Sequence, residues 1–271
     1  CLSLLDPGDE VLLPCPYWVS YAEIIKLAEG IPVEISSSVT NNFKVSPKQI
    51  ENAITDKTRM FMFSSPCNPS GSVYTEDELR EIAEVFKKYP NIYIVSDEIY
   101  EHINFTDKHF SIGTIDSLKD RVITVNGVSK GFAMTGWRVG FIGAPLWIAK
   151  ACNKIQGQVT SATCAIAQKA TEEAMNADPK IVTNEMKNSF LKRRDLLLEK
   201  LNSIKGIKCN IPDGAFYIFP DVSYFFGKSD GDNVINNADD LCMYLLNSCY
   251  VALVSGAAFG NPECVRISYA A

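Results

Sequence analysis

Two rhythms of hydrophobic and polar positions alternate along the first half of the chain. Short apolar runs recur at Val11-Leu12-Leu13, residues 32–35, Met60-Phe61-Met62-Phe63, and residues 92–95, 122–125 and 136–143. Runs of this kind are read as strands buried on both faces of a parallel sheet. Between them lie segments of helical period. One covers residues 20–28 and is closed by Gly30. A second begins at Ser46-Pro47-Lys48-Gln49, with Ser46 as cap and Pro47 at the first position. A third begins at the capping box Thr75-Glu76-Asp77-Glu78 and runs to Lys88. Residues 37–44 read as loop. This alternation predicts βαβ units and an α/β fold, a mostly parallel sheet with helices on both faces.

Past Pro145 the strand rhythm stops, and residues 147–201 are expected to be mostly helical. The charged stretch 187–200 is expected to be an exposed helix bridging two lobes. Short strands at 215–219, 250–253 and 265–268, with a helix over 238–246, predict a smaller α+β lobe. The chain thus divides into a large domain over residues 1–185 and a small C-terminal domain over 186–271. Leu4-Leu5-Asp6-Pro7-Gly8-Asp9-Glu10 reads as a helix end running into a strand, and residues 265–269 as a strand stopped at its edge. The chain is therefore expected to be an internal piece of a longer protein, with the start of the large domain and the end of the small one missing.

Composition narrows the function. At 46% hydrophobic and 21% charged residues the chain is expected to be globular rather than disordered or coiled coil. With 26 Lys and Arg against 32 Asp and Glu, it has no basic surface for nucleic acid. No apolar run reaches the roughly 18 residues of a membrane helix. Two histidines, His102 and His109, leave little for chemistry built on several imidazoles. The nine cysteines are dispersed without a C-x-x-C pair, so they read as buried free thiols of a reducing, cytoplasmic setting; no metal site is expected.

In open parallel sheets ligands sit beyond the carboxyl ends of the strands. After 60–63 comes Ser64-Ser65-Pro66-Cys67-Asn68-Pro69-Ser70-Gly71; after 92–95, Ser96-Asp97-Glu98-Ile99-Tyr100; after 122–125, Asn126-Gly127-Val128-Ser129-Lys130-Gly131. Singly, each has a bland reading: a tight turn at Asn68, a helix cap at Asp97, a solvated loop lysine at Lys130. Collected at one sheet edge they suggest a site. Gly127-x-Ser129-x-Gly131 also fits a nucleophile elbow. A hydrolase of that kind places its acid and then its histidine after the serine, and both histidines precede Ser129. Neither a Walker A motif nor a strand-linked G-x-G-x-x-G is present.

The spacing of Asn68-Pro69-Ser70-Gly71, Asp97-x-x-Tyr100, Ser129-Lys130 and Arg138, with a distant Arg266, resembles the class I aminotransferases, pyridoxal-phosphate enzymes of the aspartate aminotransferase fold. The run from Ser129 to Gly140 is the most specific piece; Pro16-Tyr17-Trp18 and Gly214-Ala215-Phe216-Tyr217 agree with it, and the resemblance covers essentially the whole chain. It is similar above all to the bacterial aspartate aminotransferase branch that includes prephenate-using members.

The resemblance implies pyridoxal 5′-phosphate as cofactor and transamination between an L-amino acid and a 2-oxo acid, with aspartate and 2-oxoglutarate leading. Aromatic, alanine or prephenate aminotransferases, a related lyase, or the ligand-sensing domain of a transcription regulator are the alternatives. Lys130 would bond the cofactor and then carry the proton. Asp97 would pair with the pyridine nitrogen, and Asn68 and Tyr100 would bond the ring oxygen. Ser129 and Arg138 would hold the phosphate. Trp18 would stack on the ring opposite Ile99, and Arg266 would clamp the substrate carboxylate. A homodimer is implied, with no nucleic acid or membrane partner. The family's first phosphate loop, the tyrosine lent by the neighbouring subunit and the residues that read a distal carboxylate are expected upstream of Cys1. Two departures stand out: residues 157–163 contain no arginine, and Ser255 stands where the family often has proline.

Overall fold

The computed structural model describes residues 1–106, 108–231 and 233–270, the side chains of 179 and 180 excepted. Six strands form the main sheet: β1 (Glu10–Pro14), β2 (Ile31–Ile35), β3 (Thr58–Ser64), β4 (Tyr93–Asp97), β5 (Val122–Gly127) and β6 (Gly140–Gly143). Their spatial order is β2-β1-β3-β4-β5-β6. The pairings from β2 through β5 are parallel; β6 is antiparallel to β5.

Side chains alternate along each strand, so neighbouring residues enter different cores. Leu12, Phe61, Phe63 and Ile94 pack on one face with α2 (Pro47–Ala53) and α3 (Glu76–Lys87). Val11, Leu13, Met60 and Met62 pack on the other with Tyr21, Ala22 and Ile25 of α1 (Ser20–Leu27). The expected capping box forms between Thr75 and Glu78, and the expected cap Ser46 forms one as well, with Gln49.

Three helices follow: α4 (Leu146–Val159), α5 (Ala165–Asn176) and α6 (Pro179–Asn202). α6 runs unbroken across position 185, where the sequence places a domain boundary. It is not simply an exposed bridge. Phe190, Leu198 and Leu201 are buried against Tyr100, Ile103, Ala215, Ile218 and Tyr269. The last part holds β7 (Tyr217–Ile218), the hairpin strands β8 (Lys228–Asp230) and β9 (Asn233–Ile235), α7 (Ala238–Cys249), β10 (Val254–Ser255) and β11 (Val265–Ser268). β10, β11 and β7 make a small sheet in that order.

Several sequence expectations are corrected. The strand expected over 136–143 begins only at Gly140. Thr135–Trp137 is a 3₁₀ turn and Arg138 is left-handed, φ 57°, which takes the chain out of an extended path. The strand expected at 250–253 is the cap of α7 and an irregular link to β10. Tyr250 is a left-handed cap (φ 58°), and its N–H and that of Val251 donate back to Leu246 and Leu245. In 215–219 only Tyr217–Ile218 is laddered, because Ala215 is left-handed (φ 57°) and its N–H donates to Ile103 O. The left-handed residue after α1 is Glu29 (φ 58°), with Gly30 N–H donating to Ile25 O at 3.0 Å. All nine cysteines are free thiols, yet only Cys15, Cys67 and Cys264 are buried, and Cys164 and Cys249 are exposed. Among the described residues no helix is long and apolar enough to cross a membrane.

Candidate active site

Every residue to which the sequence assigns a cofactor or substrate role, Ile99 included, lines one cavity of about 550 Å³. The topology explains why. β1 lies between β2 and β3, so the strand order reverses there and a crevice opens at the carboxyl ends. The segment after β1 contributes Trp18 and Tyr21, and β3 and its following loop contribute Ser64 and Asn68. β4 and its following turn contribute Asp97 and Tyr100, and the turn after β5 contributes Ser129 and Lys130. Arg266 reaches the same space from β11 of the small sheet.

Asp97 is the last residue of β4, level with Ser64 on β3 and Val125 on β5. The Tyr21 hydroxyl donates to Asp97 Oδ2 at 2.6 Å, and Ile99 N–H donates to Oδ1 at 3.1 Å. Burial raises the carboxyl's pKa above its usual range, these two donors pull it down, and neighbouring Glu98 raises it again. The two groups that stabilise its ionised form are thus neutral donors.

Lys130 Nζ stands 6.0 Å from the centre of the Tyr100 ring and 5.8 Å from that of Phe216. Burial first, then Arg138 and Arg266, hold its amine below the ordinary lysine range. Its loop is fixed locally. Thr135 Oγ1 donates to Ser129 O at 2.8 Å, and Arg138 Nη1 donates to Thr135 O at 3.0 Å. Ala133 and Arg138, both non-glycine, sit at φ 52° and 57°, conformations that cost energy unless their surroundings enforce them. Gly131 is packed on His102. A Cβ there would lie 2.7 Å from His102 Cδ2, so only glycine seats the loop at this distance.

The Arg266 guanidinium is held between the rings of Tyr217 (4.6 Å) and Phe259 (4.9 Å). Its Nη1 donates to Asn68 Oδ1 at 3.0 Å, while Nε is buried and makes no hydrogen bond among the described residues. Phe259 comes from the turn over 256–259, where Ser255 Oγ accepts from Ala257 N–H. Burial, then Tyr217 and Asp97, push the Tyr100 phenol well up, and Arg266 draws it partly back.

A family model decides the identity of this arrangement: that of the class I and II aminotransferases matches residues 1–271. The chain belongs to this aminotransferase family. It is similar to the bifunctional aspartate aminotransferase and glutamate/aspartate-prephenate aminotransferase of Petunia hybrida, 46% identical over all of the chain and 57% of that protein. It is 45% identical to the aspartate/prephenate aminotransferase of Nitrosomonas europaea, over 99% of the chain and 68% of the relative. The crystal structure of an aspartate aminotransferase from Rhizobium meliloti superposes with a TM-score of 0.95 at 41% identity, covering all of this chain and 68% of that one. The aminotransferase chain thus spans little more than half of the Petunia relative and about two thirds of the other two.

Several cavity residues escaped sequence reading. Tyr21, the second residue of α1, follows Trp18 across the turn that opens the helix, its N–H donating to Trp18 O, and their rings meet edge-on at 5.5 Å. Tyr217 sits on a strand face with no polar neighbour to flag it. Ser64 Oγ is buried with no hydrogen-bond partner among the described residues, and Asn126 and Thr135 also line the wall. No histidine lines the cavity, which leaves the Gly127-x-Ser129-x-Gly131 run without the base a hydrolase needs. Outside it, Glu98, Glu101 and His109 bring possible metal-ligand atoms within 4.8 Å of one another. The Glu98 oxygens there are already engaged by Ser96, Ser111 and His109.

Proposed function

We propose that the full-length protein is a pyridoxal 5′-phosphate-dependent aminotransferase that moves an amino group between an L-amino acid and a 2-oxo acid. Aspartate and 2-oxoglutarate are the leading pair, with prephenate the alternative acceptor that the relatives' names suggest. The observation that carries this reading is Lys130. Its amine, held below the ordinary lysine range, faces a cavity that also holds a carboxylate and two arginines.

The cavity fits the cofactor on its own chemistry. Asp97 is a half-buried carboxylate whose partners among the described residues are neutral donors, and a protonated ring nitrogen would supply the missing cation. Ser129 and Arg138 would hold the phosphate, the guanidinium by its fork of donors. Asn68 and Tyr100 would reach the ring oxygen, with Trp18 and Ile99 against its faces. When bound, the cofactor supplies the electron sink that lets the substrate's Cα–H bond break. The lowered pKa of Lys130 leaves Nζ able to accept the Cα proton and to return it. Arg266 would orient the substrate carboxylate, and Nε, which has no hydrogen-bond partner among the described residues, offers it a donor. A homodimer is proposed as well. Leu146, Trp147 and Ile166 on α4 and α5 are 69%, 50% and 75% exposed, an apolar face suited to a subunit contact.

The test is borohydride reduction of the loaded full-length protein followed by peptide mapping. The label is expected on Lys130, and Lys130→Ala should lose both the label and turnover. A label on another lysine would overturn the reading.

A further inference from the structure

We propose that Tyr217 is a positioning residue that couples the carboxylate clamp to the ring-tuning tyrosine, so that Arg266 and Tyr100 work as one unit. The proposal rests on the aminotransferase reading above and concerns a residue that reading leaves unused.

The strand register dictates the first half of the coupling. Tyr217 on β7 is paired with Ser268 on β11, so Arg266, two residues before Ser268, shares its sheet face as a diagonal neighbour. The tyrosine ring accordingly lies 4.6 Å from the guanidinium carbon. The second half runs the other way. The Tyr217 hydroxyl reaches the Tyr100 hydroxyl, 3.1 Å away in the turn after β4. Tyr217 is 7% exposed, and Phe216 packs on its ring at 4.7 Å while meeting Tyr100 at 5.4 Å. This packing leaves the Tyr217 side chain little freedom to abandon either partner.

The chemistry follows from the hydrogen count. Two hydroxyls that share one hydrogen bond have one hydrogen left over. With Tyr217 donating, the free hydrogen is that of Tyr100, which then points its donor into the cavity and is polarised by the bond it accepts. Donation from Tyr100 stabilises negative charge on a bound ring oxygen and favours the deprotonated form of the loaded site. Arg266, which acts on Tyr100 through its charge, is the group a substrate carboxylate would neutralise. Occupation of the clamp is thereby felt at Tyr100, and Tyr217 holds the two at a fixed spacing.

The experiment uses the full-length protein loaded with pyridoxal 5′-phosphate. The visible absorbance of the bound cofactor is titrated with pH, and KM and kcat are measured with aspartate and 2-oxoglutarate. Tyr217→Phe keeps the ring under Arg266 and removes the hydroxyl. Its midpoint should move upward by about half a pH unit, the scale of one neutral hydrogen bond, with KM for aspartate within about twofold. Tyr217→Leu removes ring and hydroxyl, so it should also raise KM by about fivefold or more, the scale of a cation–π contact. In a Tyr100→Phe background, Tyr217→Phe should add no further shift, because the path through Tyr100 is gone. Additive shifts in the double variant, or an unmoved midpoint in both single Tyr217 variants, would overturn the coupling while leaving the aminotransferase reading intact. A wild-type protein with no pH-dependent visible band would remove that reading, and the proposal with it.

Discussion

Replacing Tyr21 by phenylalanine removes one hydroxyl and leaves the ring in its core, where it packs with Val11, Leu13, Ile25 and Met62. What is lost is the 2.6 Å hydrogen bond to Asp97 Oδ2, one of the two donors that offset the rise desolvation imposes on this carboxyl's pKa. Hydrogen bonds to charged groups contribute about 1.5–3 kcal/mol, a factor of roughly ten to a hundred in an equilibrium constant. If the Asp97 charge holds the ring nitrogen, cofactor affinity should fall by about that factor. The sign of the pH dependence is fixed as well. Without the Tyr21 donor the carboxyl protonates more readily, so the deficit should widen as pH falls and narrow as it rises. The assay is a fluorescence titration of the cofactor-free full-length protein with pyridoxal 5′-phosphate, for wild type and Tyr21→Phe, across the range from pH 5.5 to 8.5. Thermal unfolding of the cofactor-free forms, run alongside, reports whether the fold survives. Affinities within twofold at every pH, in a variant that unfolds like the wild type, would refute the claim that Tyr21 sustains the Asp97 charge.

Three other outcomes are expected. Arg266→Lys keeps a charge but loses the planar group held between Tyr217 and Phe259 and its fork. kcat/KM should fall by about a hundredfold or more for every amino donor alike, with cofactor affinity little changed; a loss confined to dicarboxylic donors would assign Arg266 to the distal group instead. Gly71→Ala should destabilise the protein by about 2 kcal/mol or more, read as a lowered Tm, because φ is +68° and the new Cβ would stand 2.4 Å from Pro212 Cβ. Asp97→Asn should raise the Tm of the cofactor-free protein near neutral pH. The Asp97 pKa is raised in the fold, so its contribution to stability is present below the unfolded carboxyl pKa and lost as pH rises through the folded one. The amide escapes that loss, and its advantage should shrink on acidification; an advantage that grows as pH falls would contradict this account.

The legible parts of the fold are those set by local pattern. Val11-Leu12-Leu13 is apolar at three successive positions because Leu12 faces one core and its two neighbours the other. Ser46 and Thr75 announce their helices because the capping side chain and its partner lie three residues apart. The illegible parts are set from a distance. Arg138 abandons the strand expected around it for a left-handed turn (φ 57°) at the cavity wall. Tyr250 looks like a strand residue but closes α7. The site divides in the same way. Asp97 and Lys130 could be picked out because each follows a strand. Tyr21 and Tyr217 could not, since a tyrosine in the first turn of a helix or within a short strand has the composition of ordinary core. Their partners, Asp97 and Tyr100, are 76 and 117 residues away in sequence.

The same cavity gathers much of what the fold would otherwise avoid. Ala133, Arg138 and Ala215 hold left-handed backbone without being glycine, the first two in the loop that follows Lys130 and the third beside Phe216 and Tyr217. Asp97 is half-buried with neutral donors, Lys130 is held below the ordinary lysine range, and Arg266 Nε and Ser64 Oγ are buried without a hydrogen bond among the described residues. Each is a local cost, and none serves the packing of the two cores that flank the sheet. Costs of this kind persist when surrounding structure enforces them and something else is gained. A cofactor and substrate of the proposed kind would relieve three of them together, with a cation opposite Asp97, a carbonyl carbon within reach of Lys130 and a carboxylate on Arg266, and would place an anion between Ser129 and Arg138. A ring with a protonated nitrogen, a phosphate arm and an aldehyde, met by an α-amino acid, has this set of groups. The convergence of three separate mismatches, at Asp97, Lys130 and Arg266, on one ligand pair is a stronger argument for the site than any of them taken singly.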